Sequence, residues 1–485
     1  VLVVWGQKSV KVKVSGNIIT TDGVPAEFIN IQLKNTFYGG TSDGKGYFEF
    51  MAPAGQYTMI VQSIAAHRRE FPVTIEEGKE NHFADIEIRE NVNQLEQVVV
   101  TGQFSPQSMR NSLYKVRTVN SEQIRQKAPT SVQSLLNTEI GIRLSNDMAL
   151  GETDFELMGM SGNNVKILLD GIPLIDRGAT KQSLSQLDVN SIERVEIVEG
   201  PMSVVYGTDA LAGVINIITK KGDGYSEENT WRVGARVQEE SMGKEYDFFK
   251  DKGLHNESID LGFNHKSGLF VNGGYTRNNH GGWQGDLTGR EKRWHPKDQA
   301  LMNGMFGFQN RNMNVWYRLD FLDEKIFGPN NGSELQPEKV SDKDFLTKRY
   351  THQLQSDWKL DNRLDVHAAL SYQDYKRRTR TTESDLSTGE KWLSSAEASQ
   401  DITQYKAWIA RATVAWNIAP EFSVQPGVEY QWTQGEGGRI DGTPKVSDLA
   451  FFLSAEYKPW EWLSLRPGVP VSYTHLRAHE TEADL

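Results

Sequence analysis

From about residue 225 onward the chain alternates polar and apolar residues with a period of two. In 313–321, Met313, Val315, Tyr317, Leu319 and Phe321 share one face, against Asn314, Trp316, Arg318 and Asp320. In 363–373, Leu364, Val366, Ala368, Leu370 and Tyr372 oppose Arg363, Asp365, His367, Ala369, Ser371 and Gln373. In 422–432, Phe422, Val424, Pro426, Val428, Tyr430 and Trp432 oppose Ser423, Gln425, Glu429 and Gln431. Successive strand side chains point to opposite faces, so each segment predicts a strand with one apolar and one polar side. A soluble sandwich would alternate in the same way. Two further features favour a membrane. Trp408 and Trp416 sit at the two ends of one apolar run, about 27 Å apart along a strand and about 20 Å along the bilayer normal after tilt. Short turns near 265–268, 309–312, 360–362, 419–421 and 459–461 also alternate with long polar loops near 240–256, 280–299, 327–347, 380–401 and 435–447. This predicts an antiparallel transmembrane β-barrel over 225–469, with about 11 strands before the pattern breaks near Pro470.

The first part of the chain is built differently. Over 11–90, VKVSGNIIT, EFINIQLKN, GYFEFMA, GQYTMIVQSI and FPVTIEE are separated by TDG, SDGKG, PAG and EEGK. Strands punctuated by such turns predict a small β-sandwich. Residues 104–224 mix two kinds of element. NSEQIRQKAP offers Ser121 as an N-cap and stops at Pro129; TSVQSLLNTEIG starts at Thr130 or Ser131 and stops at Gly141. The strands NVKILLDGIPL, RVEIVEG and GVINIITK follow. Between these regions, LEQVVVTGQ (95–103) is a short β-prone run after a polar linker, suited to strand addition on another protein's sheet edge. The alternative is a last sandwich strand.

Composition removes several function classes. The formal charge of −11 disfavours a nucleic-acid partner. With no cysteine there is neither a disulfide framework nor a thiolate metal site. No apolar run reaches 18 residues, so no transmembrane helix is expected. No G-x-x-x-x-G-K-[ST], G-x-S-x-G, H-E-x-x-H or C-x-x-C occurs, so the expectation is a non-enzyme without cofactor or metal site. The opening VLVVWGQ reads as the end of a signal peptide, giving a remnant over 1–10, with a first strand as the alternative. Residues 470–485 depart from the strand pattern and are set aside as a non-native tail.

The sequence SLLNTEIGI…VKILLDGIPL…IERVEIVEGPMSVVYGTDALAGVINIITK resembles the plug domain of TonB-dependent outer-membrane receptors. VSGNIITTDGVPAEFINIQLKN…GGTSDGKGYFEFMAPAGQYTMIVQ resembles the carboxypeptidase-regulatory-like domain. The resemblance implies a mainly β protein: a sandwich (11–90), a linker with a TonB box (91–103), a small α+β plug (104–224) and part of a 22-stranded barrel (225–469). An open half-barrel would leave two sheet edges that a bilayer cannot satisfy, so a C-terminally truncated fragment that neither inserts nor transports alone is expected. The implied function is TonB-dependent import of an iron–siderophore, haem or cobalamin-type ligand across the outer membrane of a Gram-negative, Bacteroidetes-like bacterium. Plug and sandwich would face the periplasm. The alternatives are a SusC-like glycan importer and a secreted all-β adhesion or glycan-binding protein.

The resemblance also implies roles for residues. Val98, Val99, Val100 and Thr101 would meet TonB, the inner-membrane energy-transducing partner. Gly171, Arg194, Glu199, Gly200, Pro201, Tyr206, Gly207, Gly213 and Asn216 would be structural in the plug. Ligand contacts would fall near 145–154 and 175–182, with Asp176 and Arg177 as candidates. Where relatives carry two arginines that latch the plug to barrel carboxylates, this chain has Met158 and Glu199. The expectation is that Arg194 or Arg177 docks the plug instead, or that Glu199 pairs with a barrel cation and reverses the latch.

Overall fold

The computed structural model describes residues 11–20, 25–63, 66–79, 81–88, 98–99, 101, 107–108, 115–147, 152–161, 164–176, 182–202, 206, 210–222, 228–361, 363–419, 421–437, 440, 442–460 and 463–477. The sequence expectations for 1–10, Val100, Arg177, Gly207 and 478–485 lie outside the described residues. The chain divides into two compact units, Val1–Val99 with Pro106–Ser112, and Val100–Ser105 with Leu113–Leu485.

The first unit is a two-sheet sandwich. One sheet places Lys11–Thr20 between Tyr47–Pro53, antiparallel, and Asn81–Ile88, parallel. The other orders Gly39–Thr41, Asn30–Leu33, Gly55–Ser63 and Ala66–Ile75. Alternation makes the core: in Tyr47–Pro53, Phe48, Phe50 and Ala52 point in while Glu49 and Met51 point out. They join Val14, Ile18, Ile31, Leu33, Met59 and Val61 in one cluster. Ser42 ties the loops by accepting from Ile29 N at 2.9 Å and donating to Ala26 O at 2.7 Å.

In the second unit, 115–222 forms a five-stranded sheet ordered Lys115–Val119, Ile192–Glu199, Gly213–Thr219, Val165–Leu169, Ile172–Pro173. Val165–Leu169 and Gly213–Thr219 run parallel; the other pairs are antiparallel. Two short helices and the hairpin Ile142–Asp147/Glu152–Leu157 cover the sheet and share its core of Leu135, Leu136, Phe155, Leu157, Ile167, Val195, Ile197 and Ile215. The first helix, Ser121–Lys127, is capped by Asn120 rather than by Ser121. Asn120 Oδ1 accepts from Gln123 N, and Gln123 Oε1 accepts from Asn120 N, a reciprocal capping box. The second, Val132–Leu136, starts after Ser131 as read, but it stops at Leu136, well before Gly141.

Residues 230–477 form one antiparallel sheet of thirteen strands, where the pattern predicts about eleven. The excess arises because Lys391–Leu393 pairs on the outer part of Leu364–Asp385, and because the last strand is split into Leu463–Leu465 and Gly468–Arg477. Gly468–Arg477 pairs in register with Lys445–Ser454, so the ladder continues past Pro470, where the sequence reading expects a break. Val469, Val471 and Tyr473 are exposed there, as are Pro470, Ser472 and Thr474 between and beside them. One face of the sheet is an exposed apolar surface that includes Trp231, Ile259, Val271, Phe306, Leu354, Leu370, Trp408, Phe451 and Leu453. The opposite face is polar and buried, with Asn272, Thr276, Gln299, Gln353, Gln355, Ser371 and Gln373. The strands also run further into the loops than the polarity suggests: Lys339–Lys359 has 21 residues and Leu364–Asp385 has 22. A bilayer needs only about 9–11 tilted residues, so these strands form a wall well beyond it.

Gly213 shows how tightly the five-stranded sheet is built. Its φ is +147, and a Cβ there would meet Val198 O at 2.1 Å and Leu157 Cδ2 at 2.9 Å. Gly159, with φ +81, has open space around it. Gly213→Ala should cost about 2–4 kcal/mol and Gly159→Ala about 1 kcal/mol. Urea unfolding followed by amide exchange of strand Ile192–Glu199 separates them; equal losses would contradict this packing.

Candidate functional site

Two neighbouring strands carry the node of the small sheet. Glu196 and Asn216 are cross-strand partners on Ile192–Glu199 and Gly213–Thr219, and both are buried. Asn216 Oδ1 accepts from Gly171 N at 2.9 Å. Asp170 (φ +50) and Gly171 (φ +84) form the two-residue link from Val165–Leu169 to Ile172–Pro173. Positive φ at both positions is the geometry of an Asp-Gly hairpin turn. The Asp170 carboxylate accepts from Thr219 N at 3.0 Å and Thr219 Oγ1 at 2.7 Å, which binds this turn to the central strand.

Gly200 (φ +101) turns the chain out of its strand, and its N–H donates to Ala212 O at 3.0 Å; Pro201 is exposed beside it. Tyr206 is buried, with the Arg411 guanidinium 5.0 Å above its ring. Tyr206 therefore contacts the large sheet as well as structuring the small one.

The expected charge latch takes a different form. Glu199 pairs with Lys115 at 2.6 Å and with Arg117 at 2.8 Å, both on the neighbouring strand of the same small sheet. Arg194 donates to Glu196 Oε1 at 2.9 Å, again within the sheet. Met158 is exposed in a turn with φ +53. So among the described residues neither Glu199 nor Arg194 bridges to the wall, and Glu199 pairs with Lys115 and Arg117 rather than with a wall cation. The physical reason is proximity: Lys115↔Glu199 is a direct cross-strand pair, and opposite charges there satisfy each other locally. Burial alone would raise the Glu199 pKa, but the Lys115 hydrogen bond and the Arg117 and Lys115 charges outweigh it and hold it below the usual glutamate value.

What seats the small sheet is a row of long polar side chains on the inner face of the wall. Gln353 Nε2 donates to Leu169 O at 3.2 Å and Gln355 Nε2 to Asp170 O at 2.8 Å. Gln373 donates to Pro173 O at 2.7 Å and accepts from Ile175 N at 3.0 Å. Arg349 donates to Ile175 O at 2.7 Å and to Gln186 Oε1 at 3.2 Å. Ile172 and Ile175 pack on Ala369 and Ile409 in the same area. A second cluster centres on buried Asp188, which accepts from Asn190 N, Thr276 Oγ1 and Asn303 Nδ2 at 3.0, 2.9 and 3.2 Å. Burial raises the Asp188 pKa despite these bonds. Arg318 reaches Ser191 Oγ at 3.1 Å, and Arg236 reaches Asn190 Oδ1 at 2.9 Å. Gln186 shares buried Glu324 with Gln299 at 3.0 and 2.6 Å. The wall supplies the cations, amides, the Thr276 hydroxyl and the Glu324 carboxylate; the small domain supplies carbonyls, hydroxyls, amides and the Asp188 carboxylate. None of these wall residues was singled out from sequence, although Gln353 and Gln355 stand two apart on the polar face that alternation exposes.

Asp176 accepts from both Ser183 N at 2.7 Å and Ser183 Oγ at 2.8 Å. Thr101 is fully buried against Glu196. Val98–Val99 pairs with Gln107–Ser108 in a two-residue ladder. Among the described residues, no group of three or more His, Asp or Glu could hold a metal ion.

The TonB-dependent Receptor Plug Domain family matches residues 108–214, and the CarboxypepD_reg-like domain family matches 14–100. A vitamin B12 transporter, BtuB, of Vibrio vulnificus (strain CMCP6) is 32% identical over 139 residues, 28% of this chain and 23% of that protein. Among solved structures, Pseudomonas aeruginosa FpvA bound to pyoverdines aligns with TM-score 0.58 and 13% identity, over 81% of this chain and 57% of that one. The ferric enterobactin receptor PfeA of the same species aligns with TM-score 0.56 and 15% identity, over 78% and 59%. The chain thus spans less than three-fifths of either receptor, and these two likenesses are of fold.

Two outcomes test this seat. Gln355→Ala and Gln373→Ala each leave enclosed backbone groups without a partner, at about 1–3 kcal/mol; amide exchange over 170–175 should quicken, while Gln431→Ala leaves it unchanged. The Glu199 pairs stabilise above the unfolded value of about 4.3, and that stability is lost as pH falls through the lower folded value. Protection of Lys115–Val119 should therefore drop in acid by no more than about 1 kcal/mol, and Glu199→Gln should flatten that dependence.

Proposed function

We propose that this chain, which carries a plug domain of the TonB-dependent receptor type behind a CarboxypepD_reg-like domain, is part of a receptor that imports a scarce ligand across the outer membrane of a Gram-negative bacterium. The matched plug domain is a receptor domain and the matched BtuB is a transporter; neither is an enzyme. One observation carries the reading: a folded domain is hydrogen-bonded to the polar face of a sheet whose other face is apolar and exposed. Such a sheet suits lipid outside and a polar lumen inside. A lumen filled by a separately cored domain is a gate, and opening it takes work. With no nucleotide-binding motif in the chain, that work comes from a partner, the inner-membrane TonB complex.

The segment around Val98, Val99 and Val100 is the proposed TonB contact, by strand addition. Thr101 is proposed to adjoin that contact; its hydroxyl and N–H are bonded to Glu196, so it would join TonB only after those bonds part. The proposed ligand is of the iron–siderophore, haem or cobalamin class, supported by the cobalamin and ferric-siderophore names of its relatives. Asp176 and Arg177 are proposed to lie near the bound ligand. The glycan importer and the secreted adhesion protein are the other readings; an adhesion protein has no need of a seated plug.

Val99→Pro removes a backbone donor that strand addition needs. Uptake of labelled ferric siderophore or cobalamin by cells expressing the receptor should fall to the energy-independent background, while surface binding stays at the parent level. Unchanged uptake would remove this segment from the mechanism.

A further inference from the structure

Thr101 contributes no strand to the five-stranded sheet, yet it is joined to the middle of it. Thr101 and Glu196 have 0% exposure and Asn216 has 2%. Glu196 Oε2 accepts both the Thr101 N–H at 2.9 Å and the Thr101 hydroxyl at 2.5 Å. The Thr101 hydroxyl oxygen accepts from Asn216 Nδ2 at 2.9 Å. Arg194 Nε holds the other carboxylate oxygen of Glu196 at 2.9 Å, so the carboxylate cannot follow Thr101 outward without breaking that contact too. Because Glu196 and Asn216 are direct cross-strand partners, the two side chains clip the linker onto one rung between adjacent central strands.

We propose that this clip is the mechanical catch of the plug: tension on 95–100 must break the Thr101 bonds to Glu196 and Asn216 before Ile192–Glu199 and Gly213–Thr219 can separate. The proposal rests on the import reading only for the source of the tension. Its logic is geometric. Thr101 lies two residues after Val99, so it is an early point at which a pull on that segment reaches buried, charge-assisted hydrogen bonds. Breaking them strips Glu196 of two donors inside the protein, which concentrates resistance there. Downstream, the load acts on a single rung, and ladder bonds then part in succession.

The chain has no cysteine, so Val98→Cys gives a unique handle. Outer-membrane vesicles carrying the receptor are pulled from this handle by force spectroscopy at fixed load. Thr101→Val, which keeps shape but loses the hydroxyl, should raise the first-rupture rate at least threefold. Thr101→Ser, which keeps every bond, should stay closer to the parent than the valine variant does. A smaller rise for Thr101→Val, or serine behaving as valine, overturns the catch. Unloaded amide exchange of Ile192–Glu199 is the control: if Thr101→Val speeds it by the same factor as the rupture, Thr101 only stabilises the fold and the proposal fails. The pulling assay needs neither ligand nor TonB. A catch that behaves as expected in a receptor that takes up nothing would therefore count against the import reading alone.

Discussion

Gln373 donates to Pro173 O and accepts from Ile175 N, so one side chain stands in for a neighbouring strand. The arrangement around it follows from that substitution. Ile172–Pro173 is the edge of the five-stranded sheet, and an edge has backbone groups that must find partners. Within a wall of paired strands no backbone is left over to meet them, so long side chains from the wall do. Gln353 and Gln355 treat Leu169 and Asp170 in the same way, and Arg349 treats Ile175. An amide–carbonyl bond is modest in net terms but costly to leave unmade when buried. That combination suits the gate proposed above, which is held and still removable.

The same constraint sets where charge goes. Cations on the wall can point at carbonyls and hydroxyls of the enclosed domain without needing a matching anion there, as Arg318 does at Ser191 and Arg236 at Asn190. The enclosed domain's own charges then pair among themselves: Glu199 with Lys115 and Arg117, Arg194 with Glu196. The carboxylates of these pairs are buried or nearly so, with Glu196 at 0% and the Glu199 side chain at 9% exposure, so each is held by its cation where water cannot replace it. The seam itself is made of directional bonds, several to charged groups such as Arg349, Asp188 and Glu324, and of the Arg411–Tyr206 stack.

Length is the other lesson of the large sheet. Lys339–Lys359 and Leu364–Asp385 hold register over a span that includes charged runs such as Lys376–Arg380. Backbone pairing propagates along a ladder once its middle is fixed, and it does not require a buried face at every rung. Phe345 and Tyr375, stacked under Arg377 and Arg349, show how cations are accommodated on the inner face.

Much of this was legible in the chain itself. Period-two alternation specified the strands and which face is apolar, because side-chain direction in a strand is a local property. The sequence puts the helix start at Thr130 or Ser131, and Ser131 is the cap; NVKILLDGIPL, which reads as one strand, instead folds back at Asp170-Gly171, where both residues take positive φ. The partners of Glu199 and Arg194, the burial of Thr101 and the seat made by Gln353, Gln355 and Gln373 were decided only in three dimensions. Each joins residues from about 80 to 200 positions apart, or depends on which of several chemically equivalent acceptors lies nearest after folding. Alternation can say that Gln355 faces inward; only the tertiary structure puts Asp170 O opposite it.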